Sequence, residues 1–202
     1  MTQKQTQEHQ ADMHSETTVK PSCSQMPFAI VFFLIVMIAT AIDLGTKSRV
    51  FGRLGMPGVS DTLWVCDSVF GFQTALNEGA LFGMGQGFVL GFAFLSIAMF
   101  LGIVIWLLGP FYKNWFLVVV LALISGGIIG NLYDRLGLHQ LRWLDDGVHT
   151  ADTPVFAVRD WILVMLGSYH WPNFNLADSY LVAGVILLGI YVWFFVEQPK
   201  QE

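Results

Sequence analysis

Pro172-Asn173-Phe174-Asn175-Leu176-Ala177-Asp178-Ser179 marks the point where a polar loop becomes the last long apolar run, Tyr180 to Val196. A carboxylate that opens a membrane span costs about 2.5 to 3.5 kcal/mol even on lenient insertion scales, so Asp178 needs a reason to be there. One reason is capping, because Asn175 or Asp178 can satisfy free N–H groups of the first turn and complement the helix dipole. Arg159-Asp160, inside a second apolar segment from Val155 to Leu166, poses the same question again. Two acids in such places suggest a pair.

The rest of the chain sets that pair in a membrane. Of 202 residues, 54% are hydrophobic and only 12% are charged, which excludes a soluble domain of ordinary composition. Crossing about 30 Å of hydrocarbon takes roughly 17 to 25 mostly apolar residues. Residues 26–44, 88–108, 115–133 and 177–196 meet or approach that requirement. Four spans put both termini on one side. The net charge of −5 comes without a basic run, so nucleic acid is not an expected partner. Cys23 and Cys66 flank the first span and therefore predict neither a disulfide framework nor a metal site.

Residues 1–25 are polar and aperiodic and read as a disordered tail. Phe28 to Ile42, with Ala39-Thr40-Ala41, mimics a signal peptide, but the preceding region is overlong and weakly charged. The residues that follow also favour a retained span: Asp43 and Lys47 lie four apart on one helical face, where an end-of-helix ion pair is expected at the interface. Residues 50–87 are rich in glycine and in short apolar alternations, Leu63-Trp64-Val65 and Val69-Phe70-Gly71-Phe72, and predict a small sheet on the membrane surface. Gly109-Pro110 closes the second span. Gly126 and Gly130 in the third form a small-xxx-small step for close helix packing. Residues 136–153 hold His139, Asp145, Asp146, His149 and Asp152, yet their spacing fits no closed zinc pattern, and no metal is expected. Val155 to Leu166 is too short to span and reads as an interfacial or re-entrant piece.

Taken together, Asp43-Leu44-Gly45-Thr46-Lys47, Asn77-Glu78-Gly79-Ala80-Leu81-Phe82, Gly130-Asn131-Leu132-Tyr133-Asp134-Arg135, Val158-Arg159-Asp160-Trp161-Ile162 and Phe174-Asn175-Leu176-Ala177-Asp178-Ser179 resemble the lipoprotein signal peptidases, signal peptidase II, in block order from about residue 28 to 196. The resemblance implies an all-α membrane protein of four transmembrane helices with a small extracytoplasmic β-sheet. It implies an aspartyl peptidase of the bacterial inner membrane, with its site on the extracytoplasmic side. By the same resemblance the catalytic pair falls on Asp160 and Asp178, with Asn77, Gly79, Asn131, Asp134, Arg135 and Asn175 lining or supporting the site and Asp43 and Lys47 behind it. The substrates would be diacylated prolipoproteins, cut before the lipid-modified cysteine, and the other partner is membrane lipid. The peptidase domain is expected over residues 26–197, as a monomer without a cofactor, with residues 136–173 as an extracytoplasmic loop. One departure is plain: the family sets its first catalytic acid soon after the Asp-Arg pair, whereas Asp160 lies 26 positions after Asp134, so residues 136–157 read as an insertion.

The chemistry has its own logic. Two neighbouring carboxylates share one proton and titrate as a unit, which suits hydrolysis by an activated water. A second reading, a small proton-coupled transporter subunit, would use Asp43, Asp134, Asp160 and Asp178 as a relay and would want acids spread along the spans. The charge distribution cuts against cytoplasmic termini. Lys4, Lys20, Lys113 and Lys200 would lie inside, and Lys47, Arg49, Arg53, Arg135, Arg142 and Arg159 outside, the reverse of the positive-inside expectation. Asp134, beside Arg135, reads as half of a structural ion pair. Arg159, extended beside Asp160, is expected to turn towards solvent or headgroups.

Overall fold

The computed structural model describes residues 26–79, 87–109 and 114–195. The tail, Cys23, Ala80-Leu81-Phe82, Pro110, Val196 and the four lysines assigned to the inside lie outside the described residues. Helices α1 (Met26–Leu54), α2 (Val89–Leu108), α3 (Trp115–Arg135) and α4 (Leu176–Phe195) alternate with strands β1 (Leu63–Cys66), β2 (Phe70–Asn77), β3 (Val158–Leu166) and β4 (Tyr169–Phe174). All four helices are long and apolar enough to cross a membrane.

α3 is the hub. Its Val118 and Ala122 pack with Phe32 and Val36 of α1 and Leu107 of α2, while Val120, Ile124 and Ile128 meet Leu181, Leu187 and Leu188 of α4. The glycines permit this approach. A Cβ on Gly126 would stand 2.7 Å from Ala39 Cβ of α1, and one on Gly127 would stand 2.6 Å from Ala177 O of α4. Away from α3 the helices show large apolar side chains to the outside, among them Leu90, Phe94, Ile105 and Trp193, which is the composition a lipid-facing surface requires.

α1 continues ten residues beyond the expected end of its span. Apolarity sets the length inside hydrocarbon, but Thr46 Oγ1 bonds back to the carbonyls of Ile42 and Asp43, and the helix stops only where Gly55, at φ 78°, accepts the left-handed conformation and donates to Phe51 O. At 29 residues α1 is about 43 Å long, so its last turns rise out of the hydrocarbon and carry Lys47 and Phe51 to the sheet.

The four strands form one antiparallel sheet in the order β1-β2-β3-β4. The early segment supplies only two of them. Val155 to Leu166, expected as an interfacial or re-entrant piece, holds central strand β3, and the segment 136–173 contributes β4 as well. Val158 through Leu163 are buried on both faces, which is why the segment shows a continuous apolar run and not an alternation. Gly167, at φ 63°, opens the two-residue turn between paired Leu166 and Tyr169. Phe51 of α1 packs with Trp161 and Ile162 and anchors the sheet on the helix ends.

Residues 136–157, expected as an insertion, form a folded ribbon. Trp143 N donates to Thr153 O and Asp152 N donates to Trp143 O across it, Val155 N donates to Leu141 O, and Arg142 pairs with Pro154. At its tip Asp146 Oδ1 accepts from the backbone of Val148 and His149. His139 pins its base, accepting Leu141 N at Nδ1 and facing Ala157 O with Nε2, the pattern of a neutral imidazole; burial pulls its pKa below the ordinary histidine value.

Candidate active site at the sheet end of the helix bundle

Every residue of the expected site converges where the C-terminal ends of α1 and α3 meet the N-terminus of α4 under β2 and β3. The innermost part is ionic. Lys47 Nζ lies 2.7 Å from Asp43 Oδ2, 3.2 Å from Asp134 Oδ2 and 3.0 Å from Asn131 Oδ1, which occupies all three ammonium protons. Lys47 and Asp43 are fully buried. The expectation of a snorkelling pair at the interface is therefore corrected: because α1 runs on past Lys47, the pair lies inside, and a second acid on α3 completes its neutralisation.

Arg159 is the second correction. Instead of turning outwards it is 4% exposed and holds Asp134, with Nε 3.0 Å and Nη2 2.8 Å from Oδ1, while its own backbone N–H donates to Oδ2 at 3.0 Å. Nη1 reaches Ser48 Oγ of α1. Asp134 is thus paired, but with Arg159 and Lys47, not with its neighbour Arg135. Two acids and two bases, Asp43, Asp134, Lys47 and Arg159, form a neutral buried set.

Above this set two amides orient two acids. Asn131 Oδ1 faces Lys47, and its Nδ2 donates to Asp178 Oδ1 at 2.8 Å. Asn175 Nδ2 donates to Asp160 Oδ1 at 2.6 Å and to Asn131 Oδ1 at 3.2 Å. On the Asp178 side, Asn175 Oδ1 accepts from Asp178 N and Asn175 N donates to Asp178 Oδ2, both at 3.0 Å. That reciprocal pair is a capping box for α4, with Asn175 at the N-cap and Asp178 at N3. Capping and a place in the acid pair are therefore not alternatives for Asp178: one oxygen caps and the other receives Asn131. Asp43 Oδ1 satisfies a further free donor of the same turn, Ala177 N, at 3.0 Å.

Asp160, 2% exposed on β3, opposes Ala75 of β2. Burial first, and then the negative charge of Asp178, push its carboxyl well above the usual range, against the opposing hydrogen bonds of Asn175 and Asn77 and the Lys47 charge. On the approach side Arg135 Nη2 donates to Gly79 O at 3.2 Å, and the guanidinium stands 5.5 Å from the Phe92 ring centroid. Asn77 Oδ1 caps Gly79 N. Among the described residues no group of three or more His, Cys, Asp or Glu side chains is placed to hold a metal ion.

Sequence reasoning left Ser48, Glu78, Trp143 and His149 without a role. Ser48 carries no signal beyond its spacing on α1. His149 was read only as a candidate metal ligand, because its contact with Glu78 joins positions 71 apart and leaves no local signal.

The comparisons fit this geometry. The family model described as signal peptidase (SPase) II matches residues 35–194. The chain is 42% identical over 176 residues to a lipoprotein signal peptidase of Rhodopirellula baltica, covering 85% of this chain and 75% of that one. It is 31% identical over 171 residues to one of Bacillus pumilus, covering 85% and 97%. A bacterial membrane enzyme solved by the in meso method at 1.9 Å resolution superposes with a TM-score of 0.65 at 25% identity, over 82% of this chain and 94% of that one. By motif order, fold and sequence alike, this multi-pass membrane chain belongs to the signal peptidase II family, the lipoprotein signal peptidases.

Proposed function

We propose that this signal peptidase is an aspartyl endopeptidase whose dyad is Asp160 and Asp178. The observation that carries the reading is Asn175, one residue that hydrogen-bonds both acids. Asp160, buried and beside a second acid, is the member suited to hold the proton. Asp178, which is held by N–H donors at both oxygens, is the member left to act as the base. Asp178 takes a proton from water as the water oxygen bonds to the scissile carbonyl carbon, and Asp160 donates to the carbonyl oxygen. As the gem-diol intermediate collapses, Asp178 passes its proton to the departing nitrogen, one gem-diol hydroxyl returns its proton to Asp160 as the carbonyl re-forms, the C–N bond breaks, and the pair again holds one proton. Water and the two acids supply this chemistry without a cofactor.

Residues 26–197 would form the peptidase domain, monomeric in the bacterial inner membrane, with the site facing the extracytoplasmic side. The substrate would be a diacylglyceryl-modified prolipoprotein, cut before its lipidated cysteine. The position of the acids supports this, since they gather at one end of the bundle and not along the spans, so acyl chains can stay in the bilayer while the peptide reaches the sheet. Arg135, with a buried Nε that has no acceptor among the described residues, is placed to meet a substrate carbonyl.

The test is cleavage of a diacylated and an undiacylated prolipoprotein by the purified full chain in detergent. Asp160→Asn and Asp178→Asn should each lose at least about 100-fold in turnover while staying folded and binding substrate, the lower end of what general acid–base groups supply. The undiacylated substrate should stay intact. Near-normal turnover by Asp160→Asn overturns the assignment.

A further inference from the structure

The 136–157 ribbon meets the residue after β2 through His149. His149 lies between two carboxylates: Nδ1 is 2.9 Å from Asp146 Oδ2 within the inserted ribbon, and Nε2 is 3.3 Å from Glu78 Oε1. Trp143 lies flat against the ring, with centroids 3.6 Å apart and planes 3° from parallel. Glu78 stands between Asn77, which hydrogen-bonds Asp160, and Gly79, whose carbonyl receives Arg135. We propose that His149 is a positioning residue for the peptidase: it clamps the inserted ribbon onto Glu78 and so holds the Asn77–Gly79 edge in register with the acid pair for substrate binding. The inference rests on the reading of Asp160 as a group that works on substrate.

The clamp has a defined chemical state. A neutral imidazole donates from one nitrogen only, and here both nitrogens face carboxylate oxygens, which only accept. With Nδ1–H committed to Asp146, the link to Glu78 exists only in the imidazolium form. Stacking on Trp143 favours that cation. The charged groups facing the ring are Asp146 of its own ribbon and Glu78, the residue after β2; Trp143 is neutral. The Asp146 hydrogen bond first, then the charges of Asp146 and Glu78, raise the His149 pKa against partial desolvation. A raised histidine value means that the link is complete below it and is lost as pH rises through it.

The experiment measures KM and kcat for a diacylated prolipoprotein across that pH window. The full chain is compared with His149→Ala and Glu78→Ala, and the fold of each is checked by thermal unfolding in detergent. Both variants should raise KM by roughly two- to five-fold at low pH, the scale of a partly exposed charge pair, with kcat nearly unchanged. Their KM should then be flat where that of the unaltered chain climbs, and the double variant should add nothing further. A KM-against-pH curve of either folded variant that superimposes on that of the unaltered chain, or a loss confined to kcat, overturns the clamp. Normal turnover by Asp160→Asn would instead overturn the dyad, so the two failures are separable.

Discussion

Arg159 grips Asp134 at three points, two from the guanidinium to Oδ1 and one from its own backbone N–H to Oδ2, although the two residues lie on different elements 25 positions apart. This fixes the end of α3 to the start of β3 and sets Asp160, the next residue, on the other side of the strand. Removing one partner of a buried pair costs about 3 to 5 kcal/mol, because the remaining charge stays desolvated. Asp134→Asn should therefore lower the unfolding temperature and yield sharply, while the fraction that folds cleaves at close to the unaltered rate. Cleavage per folded protein, beside a thermal melt in detergent, decides this. A well-folded but inactive Asp134→Asn would place Asp134 in the chemistry.

One glycine of α3 and one of α4 give predictions of opposite sign. Gly127→Ala drives a methyl group to 2.6 Å from the Ala177 carbonyl, which cannot swing aside, and should cost about 1 to 3 kcal/mol or more. Gly189→Ala, on α4, meets nothing within 4 Å and should be neutral or stabilising by up to about 1 kcal/mol, the helix-propensity difference. Melting the two variants side by side tests whether close approach, not flexibility, keeps Gly127. Equal stability for both would refute it.

How legible all this was depends on whether a signal is local. The four spans follow from apolar length alone, and the hairpin alternations around Trp64 and Phe72 announced their own strands. β3 and β4 were not legible, because a strand covered on both faces shows an unbroken apolar run and its partners lie far away in sequence. Lys47 and Arg159 misled for a related reason. Their charges looked like surface charges, since the acids that neutralise them, Asp134 above all, come from another element. Asp178 was legible both as a cap and as an acid in need of a partner, and the structure gives it the cap through Asn175.

The same pairing bears on topology. Lys47 and Arg159 counted against cytoplasmic termini, yet they are neutralised inside the protein and are not loop charges that set orientation. Cys66 is exposed at the end of β1 on the site side of the bundle. In intact spheroplasts, Cys23→Ser should be labelled at Cys66 by a membrane-impermeant maleimide, and Cys66→Ser should be labelled at Cys23 only after permeabilisation. The reverse pattern would invert the topology.

The last prediction concerns the acid limit and the alkaline limit of turnover. Asp160 is held above the ordinary carboxylate value by burial first and by the charge of Asp178 second, so in the folded protein it keeps its proton to a higher pH than a free aspartate. If that proton polarises the scissile carbonyl, kcat persists below the raised value and falls as pH rises through it; a raised carboxyl is lost on the alkaline side, not the acid side. Weakening the second cause should move the limit in a known direction. Asp178→Asn removes the charge but also the base and cannot report it through rate. Asn175→Ala leaves both acids and deletes the amide that donates to Asp160, a bond that stabilises the anion, so it should shift the alkaline limit upwards as well as lower kcat. It also removes the cap of α4, worth about 1 kcal/mol, and the profile is therefore read on folded protein only. An alkaline limit unmoved by Asn175→Ala, or moved down, would show that Asp160 does not set it.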